Sequence, residues 1–132
     1  MGVLCSELRI GNKIQDRNGF VFNVVGIGED WITTDFESNE GYAWEFNFKT
    51  NPPTPIELTE EILLKCGFAE FYKSDFSVKL ECIKNPIFEF VRRNHKDWNL
   101  RIKGETHKHI KYLHQLQNLY FALTGKELEI EL

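Results

Sequence analysis

Five cations fall within twelve residues: Arg92, Arg93, Lys96, Arg101 and Lys103, with Trp98 among them. A cationic surface that also carries an aromatic ring suits single-strand or phosphate-backbone binding. Lys and Arg release the counterions of a nucleic acid, and a ring stacks on its bases. Two features weigh on the other side. Trp98 alternates with Leu100 and Ile102, which makes it core, and charges on the outer face of a hairpin are ordinarily just solvated. A rival set is Trp31, Tyr42 and Trp44, beside the acidic stretches Glu29-Asp30 and Glu37–Glu40. Exposed rings there would hold a protein partner with a basic segment, a reading that rests on analogy with other small barrels.

The remaining chemistry is thinner. His107, His109 and His114 crowd one region, but zinc needs three or four converging ligands. Residues 107 and 109 would converge only in an extended segment, and neither a Cys nor an acidic pair completes the set. They read as capping and surface histidines near a helix start, so no metal is expected; a small metal-dependent protein or enzyme using His107–His114 is the third-ranked alternative. No Gly-x-Ser-x-Gly elbow is present. Cys66 and Cys82 sit among apolar neighbours, where thiols tend to be inert. Gly26-Ile-Gly28 precedes Glu-Asp, which would repel phosphate, and it opens a strand rather than a helix. No catalytic residue and no cofactor are expected.

With 132 residues, 42% hydrophobic and 14% aromatic, the chain can bury a core of its own. The net charge of −4 conceals an asymmetry: Lys84–Lys111 holds eight basic against three acidic residues. Three cysteines without a CxxC pair read as free thiols in a reducing compartment. The N-terminal residues lack a basic region and an apolar run, and nowhere are there about 18 consecutive apolar residues. The expectation is a cytoplasmic protein without a membrane partner, its oligomeric state open.

The elements that must position these residues read as α+β in a single domain, 1–132. Residues 1–50 form a β-meander of SH3-like barrel type, an open sheet being the alternative. Asn18-Gly19 signals a type I′ hairpin turn between a strand near Asn12–Gln15 and another at Phe20–Ile27. Trp31–Phe36 and Tyr42–Phe48 follow, separated by a turn at Glu37–Gly41. Residues 51–58 are a stiff connector whose prolines lack ladder donors. A short helix spans Thr59–Gly67, with Thr59 as cap and Gly67 as left-handed terminator. Phe76–Ile83 is a further strand, and Pro86–Arg93 and Trp98–Lys103 pair as a hairpin turning at Asn94–Asp97. The chain closes on an amphipathic helix over Lys108–Thr124, then an alternating edge strand at Glu127–Leu132.

Ile110, Leu113, Leu116, Tyr120, Phe121 and Leu123 share the apolar arc of that helix. Gln117 falls inside it. A buried amide without partners costs about 1–3 kcal/mol, so Gln117 is expected to bond backbone groups of a neighbouring strand or loop.

Three segments carry a resemblance: Glu7-Leu-Arg-Ile-Gly-Asn12, Pro55-Ile-Glu-Leu-Thr-Glu-Glu-Ile-Leu-Leu-Lys-Cys-Gly-Phe68 and His114-Gln-Leu-Gln-Asn-Leu-Tyr-Phe-Ala-Leu-Thr-Gly-Lys-Glu-Leu128. Together they resemble a family of short uncharacterised proteins from gut Bacteroidales and their phages and mobile elements. That family has an aromatic where this chain has Ile62 and another where it has Cys66. The resemblance implies a mobile-element setting and transfers no mechanism. The leading expectation is a non-enzymatic accessory protein that binds another protein, with nucleic-acid binding through Arg92–Lys103 as the alternative.

Overall fold

Strand alternation builds two antiparallel sheets in the computed structural model, which describes residues 5–37 and 43–131. The chain divides into two compact units, Met1–Ile56 with Tyr112–Gly125, and Glu57–Lys111 with Lys126–Leu132. The α+β class is as expected.

The first unit holds β1 (Lys13–Gln15), β2 (Val21–Ile27), β3 (Trp31–Glu37) and β4 (Ala43–Asn47), paired in that order. Ile14, Phe22, Val24, Ile32 and Phe46 point to one side and bury together with Leu8. Each such side chain contributes about 1.5–3 kcal/mol on leaving water. Phe22 and Phe46 meet edge to face at 5.8 Å. The expected barrel does not close. The sheet is open: among the described residues β1 pairs with β2 and, on its other edge, makes a bridge from Gln15 to Thr54 of the connector, not a ladder with β4. The Asn18-Gly19 turn also differs from type I′. Only Gly19 takes a positive φ, of 87°. The Asp16 carboxylate accepts from the Asn18 and Phe20 amides and holds the five-residue loop in a different form. The turn expected at Glu37–Gly41 lies largely outside the described residues.

The closing helix, α2 (Leu113–Thr124), starts five residues later than the periodicity suggests and ends, as expected, at Gly125 with φ 73°. Its buried positions are Leu113, His114, Leu116, Gln117 and Tyr120, whereas Phe121 and Leu123 are exposed. Gln117 is engaged as expected: its Oε1 accepts from the Lys13 amide at 2.8 Å, and its Nε2 donates to the Gly11 carbonyl at 3.1 Å. Beside it, Asn118 Oδ1 accepts from Asn12 Nδ2 at 2.7 Å and from Arg9 Nε at 3.2 Å, while its Nδ2 donates to the Glu7 carbonyl. His114 is fully buried rather than on the surface, 3.2 Å from the Glu7 carboxylate and stacked on Tyr112. Burial holds its imidazole below the ordinary histidine range, against the opposing pull of Glu7.

The second unit opens with α1 (Glu60–Lys65), whose cap Thr59 accepts from the Ile62 amide at 3.2 Å. Gly67 ends it at φ 87°. Five strands follow in sequence order: β5 (Phe68–Lys73), β6 (Ser77–Cys82), β7 (Phe88–Arg93), β8 (Asn99–Ile102) and β9 (Glu105–His107). β5 and β9 were not expected. Phe68, Leu80, Phe90 and Leu100 bury one face, with Phe68 and Phe90 edge to face at 5.2 Å. Cys66 and Cys82 are both buried. The edge strand expected at Glu127–Leu132 does not form among the described residues. In that segment the Glu131 amide donates to the Lys65 carbonyl, Glu129 pairs with Lys84, and Leu128 is buried. No described helix is long and apolar enough to cross a membrane.

Candidate nucleic-acid interface

Two tight turns decide where the cations of the second unit point. Asn94 and His95 take φ 53° and 57° between β7 and β8, a left-handed pair that Asn and His tolerate better than most residues. The Lys96 amide closes this turn on the Arg93 carbonyl at 3.1 Å. Between β8 and β9, Lys103 and Gly104 are both left-handed, at 50° and 84°, which is the two-residue turn that matches strand twist.

Register then sorts the side chains. Val91 stands opposite Asn99, Glu89 opposite Arg101, and Arg101 opposite Thr106. Directly opposed residues share a face, so these all project away from the face that buries Phe90 and Leu100. Arg93 follows on the same side, two residues after Val91. The turns add Lys96 and Asp97 at one end, and the loop after β9 adds Lys108. Together they line an open concavity of about 390 Å³ whose walls carry Arg93, Lys96, Arg101 and Lys108 against one carboxylate, Asp97. None of the four cations forms an ion pair among the described residues. Glu89, Arg101's cross-strand neighbour, instead pairs with Lys79 at 3.1 Å. Four cations against one carboxylate on a concave wall focus a positive potential where the chain as a whole is acidic.

Of the five cations singled out in the sequence, Arg93, Lys96 and Arg101 come together here. Arg92 points to the opposite face, where its guanidinium lies 4.9 Å above the ring of buried Trp98. Lys103 is occupied in the β8–β9 turn and does not line the concavity. Lys108 joins the site without having been anticipated, because periodicity assigned it to the closing helix. Lys103-Gly104, read as a two-residue hairpin turn, would have revealed β9 and the loop that carries Lys108.

The aromatic set of the first unit divides. Trp31 is 41% exposed and its ring covers Gly28, so closely that a Cβ at Gly28 would collide with it. Trp44, also exposed, lies edge to face with Phe36 and Phe46. Trp31 pairs with Asn47 and Ile32 with Phe46, so Trp31 and Trp44 belong to opposite faces of the sheet. Tyr42 lies outside the described residues. His107 and His109 meet edge to face at 6.0 Å, while His114 belongs to the first unit. Among the described residues, no group of three or more His, Cys, Asp or Glu side chains is placed to hold a metal ion.

No protein-family model, no curated protein and no solved structure matches the chain.

Proposed function

We propose that the chain is a non-enzymatic nucleic-acid-binding module, working inside the cell in a phage or mobile-element setting, and that its second unit takes phosphate groups into the Arg93–Lys96–Arg101–Lys108 concavity. The observation that carries this reading is the convergence on one wall of four cations, none of them ion-paired among the described residues. Arg supplies planar, bidentate phosphate contacts and Lys compact point charges. Such contacts are independent of sequence and weaken steeply with salt.

Heparin chromatography and fluorescence anisotropy with labelled oligonucleotides test it. Retention at about 0.1 M salt, lost on replacing Arg93 and Arg101 together with Ala, is the expected outcome. Absence of binding to any nucleic acid at low salt sinks the reading.

A second reading is a protein-binding module built on the first unit. The exposed Trp31, next in sequence to Glu29 and Asp30, favours it, since an exposed aromatic ring with acidic neighbours suits a basic peptide segment. Affinity capture from the native host, with the Trp31→Ala protein as control, separates the two. A partner captured equally by both proteins counts against Trp31.

A further inference from the structure

The outer face of the second sheet continues beyond the concavity, and its far end is aromatic. β5 bulges between Glu70 and Tyr72, so that Phe71 and Tyr72 both fall beside Lys79. They are 65% and 54% exposed, and the Lys79 ammonium lies 4.6 Å from the Phe71 ring centre. A bulge re-aims the side chains of a strand. Here it adds a second large ring to the outer face at the cost of regular pairing. From Tyr72 the cross-strand row runs through Lys79 and Val91 to Asn99, and the last two line the cationic concavity. Three strand intervals separate β5 from β8, roughly 14 Å, the reach of a short stretch of nucleotide chain.

We infer that this face binds single-stranded nucleic acid, with bases stacked on Phe71 and Tyr72 and the backbone phosphates drawn to Arg93, Lys96, Arg101 and Lys108. The inference rests on the nucleic-acid reading above and goes further by choosing the strandedness. Rings exposed beside cations serve a ligand whose base faces are free, and only an unpaired strand offers them. Next to this row stand Glu81 and Glu89, paired across β6 and β7. Their carboxylates border the cationic track and disfavour a second phosphate backbone alongside the first. The unit's helix α1 has six residues and opens on Glu60 and Glu61, the wrong sign for DNA.

Anisotropy titrations with a labelled oligothymidylate and a labelled mixed-sequence duplex test this on the full chain. Wild type should prefer the single strand by about tenfold or more, the scale of one stacked base. The double variant Phe71→Ala/Tyr72→Ala should lose that preference and leave duplex affinity where it was. Phe71→Trp should retain it, which a merely structural role for Phe71 would not require. Arg93→Ala/Arg101→Ala should weaken both ligands together. Equal affinity of wild type for single strand and duplex overturns the inference, as does unchanged single-strand affinity in the double aromatic variant; the phosphate reading survives either result. Failure of wild type to bind either ligand removes both.

Discussion

Two polar regions of this protein look alike in sequence and behave oppositely in structure. Glu7–Lys13 and the first turns of α2 bring Glu, Arg, Asn, His and Gln together, and most of their polar groups are answered. Gln117 is bonded at both ends of its amide, Asn118 holds Asn12 and Arg9, and Asn12 is fully buried. On the outer face of β7–β9, Arg93, Lys96, Arg101 and Lys108 converge without an ion pair among the described residues. A saturated polar network fixes register and docks a helix. An unsaturated cationic wall keeps its capacity for an outside ligand. The difference teaches that Glu7–Lys13 and the His114–Asn118 turn of α2 hold each other in place, whereas the region with ligand chemistry is made of commonplace Lys and Arg.

If the comparison holds, damage to the helix side should cost stability and leave binding intact. The largest effect is expected for Leu116→Ala, since Leu116 is completely buried. Cavity formation there should cost about 2–5 kcal/mol, read from chemical denaturation. A negligible change would mean that the apolar face of α2 does not support the fold. Gln117→Leu comes next. It keeps the volume but leaves the Lys13 amide and Gly11 carbonyl without their partner, at about 1–3 kcal/mol. Oligonucleotide affinity of the folded fraction should stay at the wild-type level for both variants.

Acid should act on the same region. His114 has no described partner for Nδ1, and its pKa is lowered mainly by burial. The folded state therefore favours the neutral ring, while the unfolded chain titrates near about 6.5. The unfolded state binds more protons in this window, so this contribution is present above pH ~6.5 and is lost as pH falls through the folded value. Thermal melting between pH ~7.5 and pH ~5.5 should destabilise wild type more than His114→Phe, which keeps a ring against Tyr112. Parallel losses in the two proteins would show that His114 is not the acid-sensitive group.

The sequence made some of this legible and concealed the rest for identifiable reasons. Alternation located β2, β3, β6, β7 and β8, and the Thr59 and Gly67 signals bracketed α1, because those features are local. Gln117 was readable as an anomaly because an amide on an apolar arc demands partners. β5 was hidden by its own bulge, which breaks the period of two at Glu70–Tyr72. His114 looked like a surface residue because its polar partner, Glu7, lies 107 positions away. The cationic site was half legible. Charge density pointed to the β7–β8 hairpin, but only register separates Arg93 and Arg101 from Arg92, and only the β8–β9 turn brings in Lys108.

Arg92 and Arg93 therefore give the finest form of the comparison, because they are adjacent and point to opposite faces. Arg92→Ala removes a guanidinium from above the buried Trp98 ring and should cost about 0.5–1 kcal/mol of stability. It should leave affinity and salt dependence unchanged. Arg93→Ala removes an unpaired surface cation, so stability should shift by no more than about 0.5 kcal/mol. Its binding should weaken for every sequence tested, with the slope of log affinity against log salt shallower by about one. Two neighbouring truncations thus separate packing from phosphate contact within a single strand. Equal loss of binding in both would mean that total charge, rather than the face it occupies, governs the interaction, and the site would then not be confined to the concavity.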